Sequence, residues 1–372
     1  LDTGYFEEGK LLLKELSEAF GVSGCEDEVR GVIIEAIKDH VDEYRVDALG
    51  NLIATKKSHQ PSAISHQLKV MLAAHMDEVG LMITHFEEDG SLRFRRVGGI
   101  DDRILLSKVV LIGKDRVPGV IGTKPIHLLK EKERRQVIKV DQMAIDIGAK
   151  SKEEAEKVVK IGDYAIFATD FCQLTEEGLR TVKGKAFDDR VGCVVLIEVL
   201  KEGYPFDLYL VFTVQEEVGL RGARVAAYAI EPDVAFTLEG TICDDMPKKK
   251  DVSPTTQLGA GPAITLMDRS FIADSRLVKL LVETAEELGI PYQFKQPGVG
   301  GTDAGAIHLV KEGVPSATVS VPCRYIHSPA CLLSLEDFEN TVRLMKAALG
   351  KLATCRFKSR EREHESTNKE IA

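Results

Sequence analysis

Apolar and polar positions repeat with two periods along the chain, one near 3.6 and one near 2. Residues 9–20 show the longer period, which predicts an amphipathic helix with Gly21 as its left-handed stop. Ser23 followed by Glu26 predicts a capping box that opens a second helix towards His40. Residues 44–56 alternate like two strands around the turn Leu49-Gly50-Asn51. Continuous apolar runs at 69–74, 208–214, 234–238 and 317–321 predict strands buried on both faces. Helical periodicity returns at 191–200, more weakly at 222–230, and clearly at 275–288 and 336–352. This alternation predicts an α/β fold, a mostly parallel sheet flanked by helices.

Between residues 84 and 171 the texture changes to short segments punctuated by turn signals such as Asp89-Gly90, Gly98-Gly99 and Pro118-Gly119. That predicts a small β-rich domain inserted into the α/β domain. Residues 130–136 are charged and predict an exposed loop, and 151–159 predict a short helix. The expected division is a discontinuous α/β domain at 1–83 and 172–355, an insert at 84–171 and a polar tail at 356–372.

Composition narrows the function classes. A length of 372 residues suits two to three domains, or one large domain with an insertion. The net charge of -10 argues against a nucleic-acid partner, because no basic field would release counterions. Seven Cys without a CxxC pair argue against a thiolate metal site or a disulfide framework, so a cytoplasmic location is expected. No apolar run reaches membrane-spanning length, so no membrane partner is expected.

Several strand ends carry chemistry, as sheets of this class build their ligand sites there. His75 ends one run and precedes Asp77 by two residues, so both point the same way in extended backbone. Asp77 could orient the imidazole or act directly on chemistry. Asp188 and Asp189 precede a helix, where one of them would serve as an N-cap and the other remains free for a metal. Glu216 and Glu217 follow another run; neighbours on a strand face opposite ways, which gives one ligand and one general base. Glu239 ends the run at 234–238, and His327 follows the run at 317–321. Histidines and carboxylates together suit one or two divalent metals with N/O ligands.

Seven stretches carry a resemblance over nearly the whole chain. They are Val22-Ser23-Gly24 with Glu26, Asp47 with Gly50-Asn51, His75-Met-Asp77-Glu-Val-Gly, Phe187-Asp-Asp-Arg190, Gln215-Glu-Glu-Val-Gly219, Gly301-Thr-Asp-Ala304 and Arg324-Tyr-Ile-His-Ser328. The chain resembles the M42 metallo-aminopeptidases, a group with tetrahedral and glutamyl aminopeptidases and with proteins labelled endoglucanase. The resemblance implies two divalent ions per subunit, zinc with cobalt or manganese as alternatives. His75 and Glu239 would hold one and Glu217 and His327 the other, with Asp188 bridging. Glu216 would be the general base and Asp77 the residue that orients His75. Glu239 departs from the Asp of many members, which lengthens that arm. The resemblance also implies a PDZ-like insert used in dimer contacts and substrate access, short peptide substrates, and a dimer-based homo-oligomer up to a dodecameric shell.

Two other readings compete. A glycosidase needs carboxylates about 5–9.5 Å apart on opposite sides of a sugar. The neighbours Glu216 and Glu217 do not meet that easily, and the histidines are left without a task. A metal-dependent deacylase or carboxypeptidase on the same scaffold is the nearer alternative. Arg269, Phe271 and residues 298–301 are candidates for lining a specificity pocket.

Overall fold

The computed structural model describes residues 3–58, 68–246 and 255–352. The expected tail at 356–372 lies outside them. An eleven-stranded sheet forms the frame. In spatial order it runs Glu43–Val46, Leu52–Lys56, Asp207–Thr213, Lys69–His75, Val234–Cys243, Ser316–Arg324, Cys331–Ser334, Thr181–Gly184 and Cys172–Gln173. Ala263–Ile264 pairs beside Ser316–Arg324 and also with Gln293–Phe294.

Parallel pairing along this order is confined to the centre, from Asp207–Thr213 across to Ser316–Arg324. The outer strands are antiparallel, so the sheet is mixed and its parallel part is narrower than the sequence suggested. The central strands are apolar on both sides for a visible reason. Val70, Leu72 and Ala74 enter the core beneath one face, while Met71 and Ala73 enter the core beneath the other. The helix Phe187–Leu200 packs in the larger core and is buried from Asp189 to Leu200, which explains its apolar sequence all round. Helix Arg221–Ile230 and the short turn Ala304–Ile307 cover the opposite face.

Two local expectations fail for one reason. The first helix spans Thr3–Glu18, and Gly21 is not left-handed. A Cβ at Gly21 would sit 2.5 Å from the Arg190 Nη2 atom, so the glycine makes room for a buried guanidinium. Arg190 donates to the carbonyls of Leu16 and Gly21 and meets Glu78 Oε1 at 3.3 Å; Lys185 Nζ meets the same oxygen at 2.6 Å. The second helix, Asp27–Ile37, has no side-chain cap. Ser23 and Glu26 are used elsewhere: Ser23 Oγ donates to Asp77 Oδ2 at 2.6 Å, and Glu26 Oε1 accepts from the Gly24 and Gln215 backbone.

The segment of changed texture closes into a six-stranded barrel. Its order is Gly80–Phe86, Leu92–Val97, Ala144–Asp146, Val117–Gly122, Val109–Ile112 and Tyr164–Phe167. It begins at Gly80, a few residues before the expected boundary at 84, and it encloses its own core around Ile83, Phe94, Ile121 and Ile145. The charged stretch near 130–136 includes an exposed helical turn, Glu131–Arg134, and the expected helix at 151–159 is reduced to Lys152–Ala155 with Ser151 as its cap. Among the described residues no helix is long and apolar enough to cross a membrane.

Candidate functional site

His75 is the last residue of its strand and is fully buried. Parallel pairing sets it beside Thr213, so the chain leaving Asp207–Thr213 passes directly over it. That chain carries Glu216 and Glu217. Both lie in a turn beyond the strand, after Gln215 at φ +57°, so strand alternation does not separate them. Both carboxylates turn inward: Glu216 Oε2 is 3.9 Å from His75 Nε2, and Glu217 Oε2 is 3.3 Å from His327 Nε2.

The paired aspartates divide their work. The backbone is non-helical at Asp188 and Asp189, and Asp189 caps the regular helix that follows this kink, accepting from the Gly192 N–H at 3.0 Å, while it also accepts from the His75 N–H at 3.1 Å. Asp188 points into the cluster. Its Oδ1 lies 3.3 Å from His75 Nε2 and its Oδ2 lies 3.4 Å from His327 Nε2. Glu239 sits inside the strand Val234–Cys243 rather than at its end, with Oε2 at 3.7 Å from His75 Nε2. The strand continues because its pairing with Ser316–Arg324 runs on to Cys243. Asp245 stays out of the cluster, paired through both oxygens with Arg324.

Asp77 differs in detail from the expectation. His75 Nδ1 contacts the Asp77 carbonyl at 3.0 Å, and the carboxylate is farther, at 3.5 Å. The carboxylate instead accepts the N–H of Glu216 at 2.9 Å and of Glu217 at 3.1 Å. Asp303, known from the sequence only as part of a resemblance, also closes on the cluster by accepting from Thr213 Oγ1 at 2.5 Å. Of the candidate pocket residues, Phe271 is buried against His308, and Arg269 is an exposed residue whose N–H bonds Gly300. A small cleft beside Asp188, Glu217 and His327 is lined instead by Val79, Phe167 and Ala186.

The electrostatics follow from crowding acids in a dry space. Burial pushes Glu216 and Glu239 well above the usual carboxylate range, against the pull of His75. Burial also pushes Glu217 to about 7 and Asp303 to about 6. Burial works against the charge of His327, yet its hydrogen bond to Asp188 and the charge of Glu217 hold it up at about 9. Among the described residues no Lys or Arg pairs with Asp188, Glu216, Glu217 or Glu239. The ligand atoms fall into two groups that share one member: His75, Asp188 and Glu239, and Asp188, Glu217 and His327. Each has the N/O composition that holds a divalent cation.

Residues 50–344 match the family model described as M42 glutamyl aminopeptidase. The chain belongs to the M42 peptidase family. It is therefore an aminopeptidase, a hydrolase of peptides. A second model, AMPT, matches residues 10–33. The chain is 43% identical to a putative aminopeptidase of Acetivibrio thermocellus, over 91% of this chain and 97% of that one. An aminopeptidase from the archaeon Desulfurococcus kamchatkensis superposes with a TM-score of 0.87 at 40% identity, covering 93% and 96% of the two chains. A TET1 peptidase of Pyrococcus horikoshii gives a TM-score of 0.79 at 38% identity, covering 92% and 99%; that protein assembles into a tetrahedron or a large octahedral shell.

Proposed function

We propose that this M42 peptidase is a metal-dependent aminopeptidase that trims single residues from the N-termini of short peptides, with Glu216 as its general base. The observation that most supports this is the placement of Asp188, whose two oxygens face two different histidines at 3.3 and 3.4 Å. His75, Asp188 and Glu239 would hold one divalent ion, and Asp188, Glu217 and His327 a second. The residues fit such ions. Among the described residues, buried Glu239 Oε1 has no hydrogen-bond partner, and the clustered carboxylates pair with no cationic side chain other than histidine. Zinc, cobalt and manganese all suit this ligand set. Such ions, when bound, polarise a scissile carbonyl and lower the pKa of water.

Glu216 belongs to neither ligand group but lies at their edge. Its raised pKa suits a group that takes a proton from the attacking water and returns it to the leaving amine. Asp77 fixes this geometry by holding both the His75 ring and the turn that bears Glu216. The surrounding carboxylates attract the substrate's free α-ammonium group, which selects N-terminal over internal bonds. The free state of the described cysteines accords with a cytoplasmic location. The shell formed by the Pyrococcus horikoshii relative supports a homo-oligomer here, with the barrel contributing to subunit contacts and substrate access.

The test compares Glu216→Gln with Glu217→Gln. Glu216→Gln should keep its metals and fold and lose on the order of 10²–10⁴ in rate. Glu217→Gln should lose metal as well. Near-normal activity in Glu216→Gln at matched metal content would overturn its role.

A further inference from the structure

We propose that the barrel supplies a working part of the catalytic centre: its Gly98-Gly99 loop positions His327 and backs Glu217. The inference rests on the metal-site reading above. His327 lies beyond the end of the strand Ser316–Arg324, in a turn where Tyr325 and His327 are left-handed. Its ring is partly exposed, with 38% of the side chain open, so packing alone does not hold it. Its Nδ1 lies 3.1 Å from the Gly99 carbonyl oxygen. A carbonyl only accepts, so Nδ1 carries a proton, and the proton that a metal displaces is the one on Nε2, which then presents its lone pair. Nε2 is the atom that faces Glu217 at 3.3 Å and Asp188 at 3.4 Å. The Gly99 contact therefore sets both the tautomer and the plane of the ring.

The loop is shaped for close approach. Gly98 has φ +82°, and a Cβ there would meet Val79 Cγ1 at 2.8 Å and Glu217 Cβ at 3.4 Å. A Cβ on Gly99 would meet His327 Nδ1 at 3.3 Å. Both glycines follow directly from the barrel strand Leu92–Val97. Arg96, near the end of that strand, braces the loop from behind by donating to the Ile100 carbonyl at 2.7 Å and meeting buried Asp102 at 2.8 Å. The two ligand groups are thus unequal. His75 is oriented by Asp77, two residues away in its own strand exit. His327 is oriented across 228 positions of sequence by the barrel. Disturbing the loop should weaken the His327 group and spare the His75 group.

The test uses Gly99→Ala, Gly99→Val and Arg96→Leu in the full-length protein. Gly99 lies outside the left-handed region, so its backbone accepts a side chain. Zinc alone is titrated by calorimetry, and anomalous diffraction from zinc-soaked crystals reads the occupancy of each group. Zinc affinity at the His327 group should fall about 10–100-fold, more for Val than for Ala, with the His75 group unchanged. Unchanged affinity at both groups, or equal weakening of both, would overturn the proposal. Should the Gly99 variants fail to fold, Arg96→Leu decides alone by the same two outcomes. A wild type that binds zinc at neither group would overturn the metal-dependent reading instead. The loop's role is then read from the ring of His327 in crystals of Gly99→Val: a displaced ring supports it and an unmoved ring refutes it.

Discussion

The carboxylate of Asp77 accepts the backbone N–H of Glu216 at 2.9 Å. Its second oxygen takes the N–H of Glu217 and the hydroxyl of Ser23. One buried aspartate thus fixes the turn that carries Glu216 and Glu217, while its carbonyl holds His75. Asp77→Ala would leave these buried donors without partners, at about 1–3 kcal/mol each. It should lower the unfolding temperature and depress kcat with little change in KM. Ser23→Ala, which removes one donor and leaves the Glu216 contact intact, should do less of both. Thermal melts and steady-state kinetics on the two variants check the order. An Asp77→Ala protein that melts and turns over like wild type would refute the role.

Asp188 faces both histidines, so its loss should be felt in both ligand groups. Asp188→Asn should reduce metal content at both, whereas His327→Ala should reduce it mainly at one. Metal analysis of the purified variants decides this. Two ions per chain retained in Asp188→Asn would end the bridging assignment.

Much of this site was legible because buried strands leave a plain signature. The runs ending near His75 and Thr213 are apolar since each face of the sheet meets a separate core. The helix Ser275–Leu288 matched its expected bounds because Asp274 caps one end and Gly289 closes the other in left-handed geometry. Other features left no local trace. Ser23 and Glu26 have the spacing of a capping box, yet tertiary partners claim both side chains. Glu239 looked like a strand end because the apolar run stops at Leu238, while pairing carries the strand to Cys243. The Gly99–His327 contact joins segments no periodicity relates.

Glu239 gives a prediction about metal removal. Its Oε1 is buried and has no hydrogen-bond partner among the described residues, a costly state for a carboxylate. Chelation should therefore lower the melting temperature, and adding back zinc, cobalt or manganese should raise it, since a ligand that binds only the folded state stabilises it. The effect of Glu239→Gln should change sign with metal. Without metal the variant should melt at or above wild type, because a neutral amide avoids the cost of keeping a carboxyl in that dry, acidic cluster, whether as a buried charge or through its raised pKa. With metal it should melt below. Melting curves recorded with and without chelator test this, and a deficit of equal size in both conditions would contradict it.

Away from the site, Asp337 predicts a pH dependence of stability. It is fully buried near the start of the helix Leu335–Leu352 and accepts the N–H groups of Gly259 and Gly261. Burial raises its pKa to about 6, against the pull of those two hydrogen bonds. The folded state then binds more protons than the unfolded chain between roughly pH 4 and 6, so this group's contribution falls as pH rises through that window. The loss is on the order of 2 kcal/mol. Asp337→Asn removes the titration. The stability difference, variant minus wild type, should rise from pH 4 to 6 and then level. A difference that stays constant across that range would show that Asp337 does not titrate there.

The substrate prediction joins the charge of the site to its chemistry. The cluster of Asp188, Glu216, Glu217, Glu239 and Asp303 is acidic, and among the described residues no Lys or Arg neutralises Asp188, Glu216, Glu217 or Glu239. Such a site favours a substrate that brings its own positive charge, and a free peptide N-terminus does so. Acetylation removes that charge and adds bulk at the wall of the cluster. Unprotected short peptides should therefore lose residues one at a time from the N-terminus, while acetylated copies stay intact. Carboxymethyl-cellulose should not be cut by protein freed of contaminating glycosidases, because adjacent Glu216 and Glu217 both turn to the histidines rather than flanking a bond. Mass spectrometry of timed digests separates the cases. A ladder of single N-terminal losses supports the aminopeptidase reading. Internal fragments would point to an endo-acting enzyme, losses from the other end to a carboxypeptidase, and release of acetate from the blocked peptides to a deacylase.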